Sequence, residues 1–207
     1  MEGCRDSSLI APTFLTSHPI QFPSHLPGIC YSYSNVGAQL MAIILERVYK
    51  KPFVQIADSL ILRPNGMRHL IAYNDTGNLV KGYNANGVVM PLMPPLMLAA
   101  GGIRSTVHDM LAYVRYQLDD TDPVIALAHT PVWKGTEGQA LGFFWRITAL
   151  PGGGKKIWHT GGTFGFSSYC VLYPEKKTGI VLLSNEMDGT SQGRLIHVAE
   201  QIVEGLD

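Results

Sequence analysis

Two short polar motifs could do chemistry in this sequence: Y-S-N at residues 33–35 and H-T-G-G at residues 159–162. Their phenol, amide, imidazole and hydroxyl groups are hydrogen-bonding groups of the kind that converge on a ligand. Each motif alone is weak evidence. A tyrosine before a helix is usually a packing residue, and an H-T-G-G turn could equally be a strand end that needs glycine for a positive φ.

The two motifs lie far apart in the sequence, so only the tertiary fold can bring them together. We predict that the Tyr33 hydroxyl, the Asn35 amide and the Thr160 hydroxyl line one solvent-open cleft, with the Gly162 N–H pointing into it. Such side chains can reach a ligand only if none of them is used up by burial in the core.

Other patterns are poorer candidates for a site. The run from Gly152 to Lys156 resembles part of a phosphate loop, but it lacks the following Ser or Thr and joins two strands instead of opening a helix. No G-x-S-x-G motif surrounds Ser167, since Tyr169 occupies the final glycine position. The other histidines lack metal-ligand spacing and the cysteines lack C-x-x-C spacing, so we predict no metal site.

Three helices are predicted to position the first motif. One should be capped by Ser34 or Asn35, and a second should have Pro52 at its first helical position and stop at residues 64–66. Thr106 to Asp109 fit a capping box that opens the third. Their apolar faces should comprise Val36, Leu40, Ile44 and Val48 in the first, Phe53, Ile56, Ala57, Leu60 and Ile61 in the second, and Met110, Leu111, Val114 and Leu118 in the third.

An antiparallel sheet should position the second motif. The predicted strands are residues 143–150, 155–160, 167–173 and 180–184. Because short turns join them, the sheet should be antiparallel. If His159 faces the groove, Trp158 should face a helix behind the sheet. That last helix should pack through one face made of Leu195, Val198, Ala199, Ile202, Val203 and Leu206.

These elements predict an α+β fold. Residues 1–31 hold four prolines without a sustained period and indicate an extended arm or loop. Residues 32–207 should form one domain, with a helical part at about 34–120, an irregular segment at 67–104 within it, and the sheet and C-terminal helix at about 140–207.

Composition excludes several function classes. With 207 residues and 46% apolar content, the chain can bury a sizeable core. Lys and Arg (16) balance Asp and Glu (16), so no net positive charge attracts nucleic acid. The longest apolar stretch, Val88 to Ile103, is short and interrupted by prolines, and we predict no membrane span. No signal peptide is present in the sequence as written.

Taken together and in this order, the motifs are specific. With Pro27-Gly28 before the first motif, residues 100–106 between them and residues 165–169 after the second, the chain resembles the serine β-lactamase and penicillin-binding protein family, in its class C β-lactamase and DD-carboxypeptidase branch. The resemblance runs from about Pro27 to Leu206. The third family motif is K-T-G in β-lactamases and often H-T-G in DD-peptidases, so His159 favours the peptidase side. The resemblance implies an active-site groove between a helical region and an antiparallel sheet.

The resemblance also implies roles in a complete site that transfers acyl groups through a serine ester. Tyr33 would shuttle a proton, Asn35 would hold the substrate amide and His159 would assist positioning. Thr160 would bind the substrate carboxylate and Gly162 would donate to the oxyanion, with Gly161 beside them among the substrate-binding residues. Substrates would be β-lactams, D-Ala-D-Ala peptides or esters, no metal or organic cofactor is implied, and the family suggests a periplasmic or secreted location.

One departure from the family pattern matters. No serine here has lysine three residues on, and the nearest match, Ser191 with Arg194, cannot supply a base because arginine stays protonated. The chain therefore corresponds to the carboxy-terminal part of the fold, without the nucleophile. Lowering the pKa of a tyrosine such as Tyr33 from about 10 to 7 needs about 4 kcal/mol of charge stabilisation. In relatives the S-x-x-K lysine is a main source of that stabilisation, and it is missing here.

Two other interpretations stay open at this point. The chain could be a non-catalytic β-lactam- or peptide-binding module, or a truncated pseudoenzyme that lacks the nucleophile. It could also be an unrelated α+β domain with chance motifs. If missing segments normally cover the sheet, an exposed strand edge should lead to self-association.

Overall fold

The structure is a computed structural model that describes residues 31–68, 79–92 and 95–206. The arm predicted at 1–31 lies, apart from Tyr31, outside the described residues, as do parts of the predicted irregular segment at 67–104. The described residues form five α-helices and two β-sheets, and the α+β prediction is confirmed. The helices are α1 (Asn35–Tyr49), α2 (Phe53–Ala57), α3 (Val107–Gln117), α4 (Pro123–Ala128) and α5 (Ser191–Glu204).

The start of α1 follows the predicted capping signal. Ser34 has an extended backbone, and its Oγ accepts a hydrogen bond of 3.1 Å from the Gly37 N–H. Pro52 is not the first helical residue as predicted but the one before it, with ψ at 144°. A Glu46 carboxylate oxygen accepts a hydrogen bond of 2.7 Å from the Phe53 N–H, which ties α1 to the free amino end of α2.

The segment after α2 confirms the predicted stop. A π-helical turn (Asp58–Leu62) and a 3-10 turn (Arg63–Asn65) continue from α2. Gly66 then ends them with φ at 74°, a left-handed conformation that favours glycine. Another 3-10 helix (Pro95–Ala100) lies against α1, where the Gln39 side-chain oxygen accepts a hydrogen bond of 3.3 Å from the Ala99 N–H.

Helix α3 begins as predicted, since the Thr106 hydroxyl accepts a hydrogen bond of 3.2 Å from the Asp109 N–H. Its predicted apolar face is only partly buried: Val114 is in the core, whereas Leu111 is exposed. In α1 the predicted stripe is also largely open, because Leu40, Ile44 and Val48 are exposed and Ala42 is the buried residue.

The large sheet has six antiparallel strands in the order β3-β4-β5-β6-β7-β8. Its strands are β3 (Trp133–Lys134), β4 (Gln139–Leu141), β5 (Arg146–Ala149), β6 (Lys155–Thr163), β7 (Phe166–Tyr173) and β8 (Thr178–Ser184). The predicted strand at 143–150 begins three residues later, because Phe144 has a left-handed φ of 64° that breaks the extended run. The first two strands of the sheet were not predicted, since they are too short to show a period of two.

A small second sheet forms beside the large one, where the chain leaves β8. It contains β1 (Gly82–Asn84), β2 (Val89–Met90) and β9 (Glu186–Met187), in the order β2-β1-β9. The prediction of an irregular segment at 67–104 was therefore wrong for β1 and β2. The Asn185 amide donates a hydrogen bond of 3.0 Å to the Lys81 carbonyl and helps to hold β1 beside β9.

Helices cover both faces of the large sheet. On one face α3 packs through Val114 against Ile147, Ile157 and Leu172. On the other, α5 packs through Ala199 and Val203 against Tyr169 and its neighbours, and Trp158 belongs to this cluster as predicted. The predicted face of α5 was partly wrong. Val198 and Ile202 are exposed because the buried arc is centred between Leu195 and Ile196, and Leu206 is exposed beyond the helix end at Glu204.

Candidate active site

The tertiary fold brings Tyr33 and His159 together. Tyr33 precedes α1 by two residues and His159 lies in the middle of β6, yet their ring centroids are 6.2 Å apart at an interplanar angle of 43°. Tyr33 is 40% exposed, so the contact lies at the protein surface rather than in the core. The fold thus places the two sequence motifs side by side.

The other predicted site residues lie next to this pair in the sequence and remain accessible. Asn35 and Thr160 are half-buried, and Gly162 is exposed. Within 31–68, 79–92 and 95–206, no hydrogen bond from another described group occupies the Tyr33 hydroxyl, the Asn35 amide or the Thr160 hydroxyl. No other group in the described part of the chain competes for these polar groups, and their individual roles stay predictions.

Tyr33 is a neutral phenol at pH 7. Partial burial raises the pKa of its hydroxyl above the ordinary value of 10.0, and the neighbouring Tyr31 raises it further. The positive charge of Arg146 works in the opposite direction but does not cancel the effect of burial. In this arrangement Tyr33 donates and accepts hydrogen bonds, but it lacks the stabilised negative charge that a general base needs.

His159 is also neutral at pH 7. Burial lowers its pKa below the ordinary value of 6.5, and the Arg146 charge lowers it further, against an opposing hydrogen bond to the Thr160 backbone. Where the β-lactamase branch carries a lysine in this motif, His159 therefore brings no positive charge. Its neutral ring can accept one hydrogen bond and donate another, which suits positioning rather than charge stabilisation.

Arg146 was missed by the sequence analysis, although it provides positive charge beside this pair. It is the first residue of β5 and lies opposite Trp158 of β6. Its guanidinium carbon lies 5.3 Å from the centroid of the Trp158 ring and 5.6 Å from that of Tyr31. The signal available in the sequence was a lone charged residue inside a largely apolar predicted strand.

Glycines 161 and 162 lie close to neighbouring side chains and do not have a positive φ. Strand β6 continues through both of them to Thr163, three residues beyond its predicted end, and neither has a left-handed φ. A Cβ at Gly161 would collide with the Ser168 hydroxyl. A Cβ at Gly162 would lie 2.8 Å from the Met187 methyl carbon and 2.7 Å from the Gln192 amide nitrogen. The alternative interpretation of H-T-G-G as a simple turn is therefore wrong.

The edge of β6 beside these glycines is open among the described residues. Since β5 begins at Arg146 opposite Trp158, residues 159–163 have β7 on one side and no described strand on the other. Backbone groups on an open strand edge can pair with an extended ligand. The H-T-G-G motif therefore lies where a peptide-like molecule could align along β6.

Ser191 and Arg194, the nearest match to S-x-x-K, belong to a hydrogen-bonded network at the start of α5 instead of forming a nucleophile. Ser191 is 3% exposed, and its hydroxyl donates to an Asp188 carboxylate oxygen at 3.0 Å. The same hydroxyl accepts hydrogen bonds from the Asp188 N–H at 2.9 Å and from Arg194 at 3.1 Å. Hydrogen bonds from the Thr190 N–H and hydroxyl are the main reason why the pKa of the Asp188 carboxyl lies well below its usual range. Smaller contributions come from Ser191 and Arg194.

Comparison with known proteins identifies the family. The family model described as Beta-lactamase matches residues 11–203. The chain belongs to the β-lactamase family. Its fold and relatives are those of the β-lactamase-related serine hydrolases, as the resemblance in the sequence implied.

Individual relatives are distant and longer. Protein Flp of Staphylococcus aureus (strain N315) is 24% identical over 195 residues, covering 86% of this chain and 38% of Flp. A β-lactamase of Escherichia coli (strain K12) is 26% identical over 205 residues, covering 79% of this chain and 54% of that protein. The chain thus spans about half the length, or less, of these curated relatives.

Solved structures show the same fold. A class C β-lactamase superposes with a TM-score of 0.80 at 22% identity, covering 100% of this chain and 66% of that one. The octameric penicillin-binding protein homologue from Pyrococcus abyssi superposes with a TM-score of 0.67 at 25% identity, covering 77% of this chain and 39% of that one.

Membrane-spanning helices and metal-binding clusters were both predicted to be absent. Among the described residues, no helix is long and apolar enough to cross a membrane. The same residues hold no group of three or more His, Cys, Asp or Glu side chains that could bind a metal ion.

Proposed function

We propose that this chain supplies the tyrosine and H-T-G walls of the groove of a DD-carboxypeptidase or class C β-lactamase type of serine hydrolase. The complete site would form an acyl-enzyme on the serine of an S-x-x-K motif, and this chain contains no such motif. The substrate would be a β-lactam, a D-Ala-D-Ala peptide or a related ester. The proximity of Tyr33 and His159, at 6.2 Å between ring centroids, is the observation that carries the proposal.

The accessible polar groups support one role for each residue. Thr160 and the positive charge of Arg146 would attract a substrate carboxylate, while the Asn35 amide would hold the substrate amide. Gly162 would donate its N–H to the oxyanion, with Gly161 allowing the close packing of β6 against β7. Tyr33 would pass a proton between the nucleophile and the leaving group, and the neutral His159 would position it.

A second candidate function is non-catalytic binding of β-lactams or peptides. The lack of an S-x-x-K sequence favours it, because acylation needs the serine nucleophile of that motif. This candidate keeps the groove and its ligand but has no turnover. The two candidates therefore differ in covalent chemistry and share the binding site.

Two measurements on the purified chain test both candidates. Benzylpenicillin is added, intact-protein mass spectrometry detects any covalent adduct, and NMR titration detects reversible binding. We expect no stoichiometric adduct, together with weak binding that shifts the signals of the groove residues. Thr160→Ala should weaken this binding, and Thr136→Ala, at an exposed turn, should not.

Each remaining outcome separates the candidates or removes them. A stoichiometric adduct would show that a nucleophile is present and would overturn the assignment of this chain as nucleophile-free. Absence of both adduct and binding would count against a ligand groove formed by this chain alone. Restored hydrolysis when the corresponding amino-terminal portion of a family member is added would favour the catalytic candidate.

A further inference from the structure

A row of contacting aromatic and arginine side chains joins the segment before α1 to the large sheet. Tyr31 lies 6.0 Å from Trp133 of β3, measured between ring centroids. Its other neighbour is Arg146 of β5, whose Nη2 donates a hydrogen bond of 3.3 Å to the Tyr31 hydroxyl. The guanidinium carbon of Arg146 lies 5.6 Å from the Tyr31 ring centroid and 5.3 Å from that of Trp158. Arg146 thus interacts with two aromatic rings through cation–π contacts.

The far end of this row is fixed in the core. The Trp158 indole N–H donates a hydrogen bond of 3.0 Å to the Thr148 hydroxyl. Its ring packs edge-on against Tyr169, with centroids 6.0 Å apart. Tyr169 is fully buried in the cluster beneath α5. Since both rings are held by the sheet, the position of Arg146, and through it that of Tyr31, is determined by buried residues.

Tyr31 and Tyr33 are separated by one residue in a segment that enters α1 through the extended Ser34. Only one residue separates the two tyrosines, so fixing the Tyr31 ring restricts the path of the backbone that carries Tyr33. Ser34 caps α1 immediately after Tyr33, which restrains the segment from its other end. The Tyr33 ring is thereby held between two anchors at the point where it meets His159.

We propose that Tyr31 is a positioning residue that holds Tyr33 against His159 through its stack on Arg146 and Trp158. This inference deepens the proposed function and rests on it for its meaning, but its geometry can be tested without any substrate. Tyr31 need not touch a ligand in this role. Arg146 serves both as the anchor of Tyr31 and as a positive charge beside the pair.

The experiment measures the Tyr33–His159 contact by NMR in the ligand-free chain. Nuclear Overhauser cross-peaks between the two rings are compared in the wild type, Tyr31→Phe and Tyr31→Ala. Tyr31→Phe keeps the ring on Arg146 and should retain the cross-peaks. Tyr31→Ala removes the anchor and should reduce the population of the contact about 3- to 30-fold, as expected for loss of a cation–π interaction. Tyr49→Ala, an exposed tyrosine on α1, should have no effect and is the matched control.

The outcome that would overturn the proposal is an unchanged Tyr33–His159 contact in a folded Tyr31→Ala variant. If that variant does not fold, Tyr31→Leu keeps apolar bulk without a π face, and the same comparison decides. Arg146→Lys keeps the charge but loses the planar stack, so it should reduce the contact as Tyr31→Ala does. Failure of the chain to bind benzylpenicillin would count against the proposed function alone, because these contacts are measured without it.

Discussion

Arg146 and Trp158 lie directly opposite each other on β5 and β6, and the arginine lies over the tryptophan ring rather than pointing into solvent. This cross-strand pair places a positive charge beside Tyr33 and His159, at the point where β5 begins. The charge acts on two titratable groups at once, since it lowers the pKa of both Tyr33 and His159. A positive charge favours the phenolate and disfavours the imidazolium.

Arg146→Gln should therefore raise the pKa of both Tyr33 and His159. The upward shifts have a common cause, because removing the charge makes the phenolate harder and the imidazolium easier to form. NMR pH titrations of the tyrosine ring carbons and histidine ring protons measure both values in one sample. Arg146→Lys keeps the charge and should retain both pKa values more closely. A pKa of His159 that stays constant or falls in Arg146→Gln would contradict this prediction.

A second buried histidine should make the stability of the fold depend on pH. The His129 ring is within 3.1 Å of the Gln117 side-chain oxygen and meets Trp145 edge-on at 5.7 Å. Burial, with a smaller contribution from the Lys155 charge, lowers the pKa of His129 to about 4. In the unfolded chain its pKa returns to about 6.5.

The unfolded state thus binds a proton in a pH range where the folded state does not. The contribution of His129 to stability is fully present above about pH 6.5 and is lost as the pH falls towards 4. We expect a loss of about 3 kcal/mol across this range. Urea unfolding measures the stability of the wild type and of His129→Gln at both ends of this pH range. The difference between their losses of stability is the contribution of His129, because all other groups titrate alike in the two proteins. An equal loss of stability in both proteins would refute the assignment.

The sequence predicted the site neighbourhood better than it predicted burial. The Tyr33 and His159 motifs were found because catalytic families keep residue types at fixed spacing, and the capping signals at Ser34 and Thr106 are local. Leu40 and Val198 were predicted on packing faces and are exposed instead. Periodicity identifies an apolar face, but whether another element covers it depends on the rest of the fold.

Arg146 and the short strands could not be predicted for a related reason. Whether an arginine in a strand points to solvent or stacks on an aromatic ring depends on its cross-strand partner, here Trp158. That partner follows from register, which a single sequence does not specify for short strands. β3 and β9, of two residues each, are too short for any pattern to emerge.

An open strand edge predicts self-association. β8 pairs with β7 on one side, and the described residues provide no strand on its other side. Leu183 on β8 and Val48 on α1 add exposed apolar surface, with Val48 68% exposed.

We expect light scattering to show an average mass that rises with protein concentration. Leu183→Lys should reduce this association, because a charge on an edge strand opposes pairing with a second chain. Val124→Lys adds the same charge at an exposed apolar position on α4 and is the control. A monomer at all concentrations would show that this edge does not promote association.

The turn between β4 and β5 offers a matched pair for the last prediction. The Gly142 N–H donates a hydrogen bond of 2.9 Å to the Trp145 carbonyl, which leaves Phe143 and Phe144 as the two central residues. Both are largely exposed, but only Phe144 has a left-handed φ, at 64°. A left-handed conformation costs a residue with a Cβ about 1–2 kcal/mol.

Phe144→Gly should raise the free energy of unfolding by about 0.5 kcal/mol. Glycine relieves the left-handed strain, and its greater freedom in the unfolded chain, about 0.5–1 kcal/mol, cancels only part of that gain. Phe143→Gly loses the same side chain without relieving any strain, so it should lower the free energy of unfolding by a similar or larger amount. Urea unfolding of the two variants beside the wild type tests the opposite signs. If both substitutions destabilise the chain equally, the Phe144 side chain makes contacts worth more than its backbone strain, and this explanation of the late start of β5 is wrong.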